Sequence, residues 1–126
     1  MKRALAALAF VVACATSDPV EPVWGKQPCA HCAMVLSDQR FGAQLVAESD
    51  RKFFDDVGCM VAFMNERGGS GRPWVKDART GKWLDARSAR YVTATTPMDY
   101  GFEARAEGGV AWDEMKAAVL AKRSSR

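Results

Sequence analysis

Histidine is nearly absent from this chain: His31 is the single one in 126 residues. No carboxylate stands at a fixed offset that would make it half of an acid–base pair. The sequence therefore holds no recognisable nucleophile, base and orienting-group set, which argues against an enzyme. Long apolar runs are also missing. Ala4–Ala13 is the longest, and ten residues are too few to cross a bilayer as a helix. An excess of one charge is lacking too, since 18 Lys and Arg face 15 Asp and Glu for a net charge of +3. That balance gives no basic footprint for DNA or RNA, so no nucleic-acid partner is expected. No internal repeat or low-complexity tract is visible. What is present is a hydrophobic share of 48% with four Trp, enough apolar material for the core of one folded domain but not of two.

The N-terminus points to export. Lys2 and Arg3 precede the apolar run, and the run ends in Val11, Val12, Ala13 and Cys14. A cysteine in that position resembles the lipobox that closes a bacterial lipoprotein signal. The resemblance implies cleavage of residues 1–13, a lipid on Cys14 and attachment to a membrane through that anchor, facing the periplasm; an ordinary signal peptide cut one or two residues away is the plain alternative. Ala15 in place of an aspartate after the lipidated cysteine sorts an enteric-type lipoprotein to the outer membrane. Residues 14–28, with Pro19, Pro22 and Pro28 and no apolar periodicity, read as an extended tether, and residues 29–126 as the functional domain. With Cys14 acylated, Cys29, Cys32 and Cys59 remain. Three cysteines in an oxidising compartment cannot all pair within one chain, so at least one thiol has another purpose.

The pattern along the domain is mixed. Residues 41–47 and 52–54 flank a polar turn and predict a hairpin. Asp55 or Asp56 then caps a helix reaching about Arg67, where Gly68, Gly69 and Gly71 stop it. A third strand is expected around Trp74 and Val75, giving ββαβ. Strands over 90–95 and 100–106 and a helix over 110–122, with Trp112, Met115 and Val119 on one face, predict a second, shorter ββα unit.

Three blocks carry chemistry. Cys29, His31, Cys32 and Met34 place two thiols, an imidazole and a thioether within six residues. Soft sulfur donors favour Cu(I), and imidazole suits copper and zinc alike. A short-loop disulfide is the plain alternative. If Asp56 is the cap, Cys59 falls in the first turn of the predicted helix, where free amides and the helix dipole are expected to lower its pKa, and a buried inert thiol is the plain alternative. Met60 and Met64 follow at helical spacing and read first as core filling. Met98, between Pro97 and Asp99, is a third candidate that packing over Tyr100 or Phe102 would also explain.

The order of the lipobox, C-A-H-C-A-M, F-F-D-D-V-G-C-M-V-A-F, W-V-K-D with T-G-K-W-L-D-A, R-Y-V and T-P-M-D-Y-G-F-E-A resembles the NosL family, accessory lipoproteins of nitrous oxide reductase, over about Cys14 to Ala106. The resemblance implies an α+β fold of two ββαβ-like repeats, shared with MerB-type domains. It also implies a Cu(I) chaperone whose partner is a copper-receiving client enzyme or its assembly machinery in denitrification. By position it assigns Cys29, Cys32 and Met34 to the family's cysteine–methionine block, Cys59 and Met60 to the block after the paired aspartates, and Met98 to the proline–methionine block. Within this set, a cysteine of the 29–32 loop with Met98 is the expected core, completed by Met34 or His31, with Cys59 and Met60 next. This requires the 29–34 loop, the start of the first helix and the Met98 segment to converge. One departure stands out: Ala33 occupies a position commonly held by glycine in the family. The C-terminal helix lies outside the resemblance. Two other readings compete. A structural zinc module would use Cys29, His31, Cys32 and Cys59. A thiol–disulfide oxidoreductase would use Cys29 and Cys32, although its reactive cysteine ordinarily starts a helix after a strand and here a proline-rich stretch precedes it.

Overall fold

The computed structural model describes residues 17–126, so the signal segment 1–13 and the lipidation candidate Cys14 lie outside the described residues. The architecture is α+β. Strands β1 (Ala43–Val46) and β2 (Arg51–Phe54) form the expected hairpin, helix α1 (Val57–Arg67) follows, and β3 (Arg72–Lys76) and β4 (Trp83–Asp85) complete an antiparallel sheet in the order β2-β1-β3-β4. The second half is a two-stranded antiparallel sheet of β5 (Arg90–Thr93) and β6 (Phe102–Arg105), followed by α2 (Trp112–Ser124). The halves are stitched where β3 ends, since Asp77 bridges Ala104 and the Ala78 N–H donates to the Ala104 carbonyl at 2.9 Å.

The core lies between the larger sheet and the helices. Ala43 and Leu45 of β1 meet Phe54, Val57, Cys59, Met60, Val61 and Phe63, and α2 adds Trp112, Met115 and Val119 from one face. The Phe54 and Phe63 rings stand 5.4 Å apart and tilted, a favourable aromatic geometry.

In β1 even the polar Gln44 is fully buried. Residues 17–28 cover its face of the sheet. The Gln44 amide donates to the Val20 carbonyl at 2.9 Å and its oxygen accepts from the Val20 N–H at 3.2 Å, as a neighbouring strand would. Glu21 pairs with Lys76 and accepts from the indoles of Trp24 and Trp83, while Trp74 donates to the Ser17 carbonyl. The segment expected to act as a tether is, from Ser17 onward, fastened to the domain. A buried polar side chain needs such partners, and here the strap supplies them.

Two features fix the start of α1. Asp56 is its N-cap, extended at φ −146° and ψ 137°, with Oδ1 accepting from the Gly58 N–H at 2.9 Å and Oδ2 from the Met98 N–H at 3.1 Å. Gly58 lets Tyr100 lie directly on the helix, because a Cβ there would stand 2.1 Å from the ring. Asp56→Ala leaves a helix amide and the Met98 amide without their acceptor, so a loss of about 2–3 kcal/mol is expected. Urea unfolding should show a lowered midpoint at unchanged slope. An unchanged midpoint would mean that the cap does not hold these two segments.

Candidate metal centre

Cys29–Met34 forms a tight loop whose shape follows from its own backbone. The Cys29 N–H donates to the Met34 carbonyl at 2.8 Å, the Ala33 N–H returns to the Cys29 carbonyl at 3.0 Å, and Pro28 pairs with Val35 across its neck. The Ala30 N–H donates to the Phe53 carbonyl at 2.8 Å, which pins the loop to the end of β2. Closing so short a loop forces Ala33 to φ 65°, the left-handed region that favours glycine.

The loop delivers two thiols to the start of α1. The Sγ atoms of Cys29, Cys32 and Cys59 and a carboxylate oxygen of Asp55 all lie within 4.8 Å of one another, and this group could hold a metal ion. Cys29, Asp55 and Cys59 are 3%, 4% and 0% exposed, while Cys32 is half-buried. Cys32 Sγ donates to Asp55 Oδ1 at 3.4 Å. All three cysteines are free, so the short-loop disulfide does not form here.

The thiols are electrostatically unequal. Donation from Cys59 and the backbone amides of Cys32, Asp55 and His31 favour the Cys29 thiolate and bring its pKa down to about 6 against the cost of burial. Burial, with the neighbouring Cys29 and Asp55 charges adding to it, pushes Cys32 up to about 12. Cys59 is raised as well, because its proton is held by the Cys29 sulfur and its site is dry. The expectation that the helix start would make Cys59 the acidic thiol is therefore corrected. Its place in the first turn of α1 is as expected, but the amides that matter point at Cys29.

Other candidates fall elsewhere. His31 is outside the four-atom group: its Nε2 lies 3.4 Å from Glu66 Oε2 and 3.2 Å from Arg123 Nη1, and burial with the Arg123 and Arg67 charges lowers its pKa. The four-residue zinc set proposed from sequence thus has Asp55 where His31 was expected. Met34 is 59% exposed and Met60 is wholly buried in the core. Met98 is half-buried against the core on the segment tied to Asp56, so the 29–34 loop, the helix start and the Met98 segment do converge. Asp55 was missed as a site residue. The paired aspartates carried the signal: only one can cap the helix, and the next residue along an extended chain points the other way.

Compared with family models, with curated proteins and with solved structures, the chain matches none.

Two outcomes are expected of the metal-free reduced protein. Thiolate ultraviolet absorbance should rise by one thiol with a midpoint near pH 6, and Cys29→Ser should remove that step; a first step only above the ordinary thiol range would contradict the assignment. Ala33→Gly, which relieves the left-handed alanine, should raise the stability to urea by about 1 kcal/mol. A destabilised Ala33→Gly would show that the loop holds no strain at this residue.

Proposed function

We propose that this protein is a Cu(I)-binding lipoprotein of the cell envelope, anchored through Cys14 and facing the periplasm, that carries copper to a client enzyme. The observation that supports it best is the convergence of three free thiols, two of them buried, at the start of α1. Cu(I) is soft, takes two or three sulfur ligands, and exchanges between such sites by associative ligand replacement. Half-buried Cys32 gives the cluster an edge that an incoming sulfur can reach, which suits a carrier better than a permanently closed structural site. The NosL resemblance adds the client, nitrous oxide reductase with its assembly machinery. It also adds the reading of β5–β6–α2 as a shortened second copy of the ββαβ unit, as in MerB-type domains. In this reading Met98 and Met34 complete or relay the sulfur set around Cys29, Cys32 and Cys59, and the protein is a carrier and not a catalyst. Among the described residues no helix is long and apolar enough to cross a membrane, so attachment in this reading falls to the lipid.

Anaerobic titration against a chromophoric Cu(I) chelator tests the proposal. The reduced protein should take up about one Cu(I), and Cys29→Ser or Cys59→Ser should weaken binding by about tenfold or more, on the order of 1.4 kcal/mol. Protein oxidised to a disulfide within the cluster should bind far less, since a disulfide sulfur is a poor donor. Equal affinity of reduced and oxidised protein would remove the cluster from the copper site.

A further inference from the structure

Asp55 is the anomaly of the cluster. A carboxylate that is 4% exposed ordinarily sits beside a cation or several amide donors. Among the described residues no Lys, Arg or His nitrogen pairs with it. The side-chain hydrogen bond it does receive comes from the Cys32 thiol. Cu(I) supplies no reason for it, because a soft monovalent ion gains little from a carboxylate oxygen. Three thiols and a carboxylate are instead the donors of a closed four-coordinate site for a divalent d10 ion. Around a tetrahedral zinc with ligand bonds of about 2.3 Å, donor atoms stand about 3.8 Å apart. The 4.8 Å limit on the spread of these four atoms is within reach of side-chain torsions.

We infer that Asp55 is the specificity-determining residue of this centre, giving it a second loading state in which Zn(II) is held by Cys29, Cys32, Cys59 and Asp55. The inference rests on the thiol cluster being a metal site, as proposed above. In the Cu(I) state the ion takes sulfur ligands and Asp55 stays outside its coordination, accepting from Cys32 when that residue keeps its proton. In the Zn(II) state Cys32 and Cys59 both release their protons to solvent, and their sulfurs join that of Cys29 and the Asp55 carboxylate on the ion. No electron is transferred in either state. The carboxylate thus stabilises one cargo and not the other, and its removal is expected to tilt the site towards copper.

The test compares wild type and Asp55→Asn, reduced and metal-free, with each metal alone. Zn(II) affinity from competition with a chromophoric chelator should fall by at least about tenfold in Asp55→Asn, while Cu(I) affinity moves by less than about threefold. Zinc-edge X-ray absorption of the wild type should count three sulfurs and one light atom, a readout independent of how well the variant folds. Equal losses for both metals, an unchanged Zn(II) affinity, or a zinc shell of light atoms alone would overturn the inference. A wild type that binds Cu(I) but no Zn(II) would overturn it and leave the copper proposal standing, whereas failure to bind either ion would overturn both.

Discussion

The site depends on the carboxylate of Asp56, which lies fully buried where β2 becomes α1. Each of its oxygens has a separate task, one accepting from the first turn of the helix and the other from the Met98 segment of the second half. An N-cap residue must leave the helical conformation, and the extended backbone of Asp56 turns its neighbour Asp55 away from the helix axis. One backbone requirement therefore settles three things. It starts α1 so that Cys59 falls in the first turn, it holds the Met98 segment beside that turn, and it faces Asp55 towards the thiols. Gly58 completes the arrangement by admitting Tyr100 against the helix.

Much of this was legible in the amino-acid order. The hairpin over β1 and β2, the extent of α1 behind a pair of aspartates, the strand around Trp74 and the face of α2 carrying Trp112, Met115 and Val119 follow from apolar spacing and from Asp and Gly at the expected boundaries. These are local signals, and local physics decides them. Cys29 and Cys32 were singled out by their close spacing and Cys59 by its place at the start of a predicted helix, and the fold brings them together. What was not legible depends on contacts distant in sequence. Gln44 looks like a surface residue until residues 17–28 lie over it, and those residues look like a free spacer because their prolines remove periodicity without revealing that Val20 and Glu21 have partners on the sheet. Asp55 was hidden for a related reason, since an adjacent pair of aspartates does not say which one caps. His31 sits between two cysteines in sequence, yet tight loop closure aims its ring at Glu66 and Arg123.

The acidity of Cys29 shows why position in a helix is a poor guide when thiols are crowded. Cys59 occupies the turn where a lone cysteine would be acidified, but a cluster shares its protons, and the sulfur that collects most donors ionises first. Cys29 collects Cys59 and three amides, so the negative charge settles on the loop residue while its neighbours keep their protons. A metal ion arriving at a cluster arranged in this way would meet one thiolate before any other proton is released.

The strap over the sheet gives that arrangement its mechanical footing. From Ser17 the chain is bonded to Trp74, then through Val20 to Gln44, through Glu21 to Lys76 and Trp83, and through Gly25 and Gln27 to Leu36. The ladder from Gln27 to Leu36 and from Pro28 to Val35 leads straight into the neck of the Cys29–Met34 loop. A loop carried on a free linker would visit many positions, and the ordering of each backbone residue would count against metal binding at about 1–2 kcal/mol. With its neck paired and its middle pinned to Phe53, the ordering is completed on folding. A metal ion held by this cluster would then meet the thiols in place, and its affinity would reflect ligand chemistry more than loop closure.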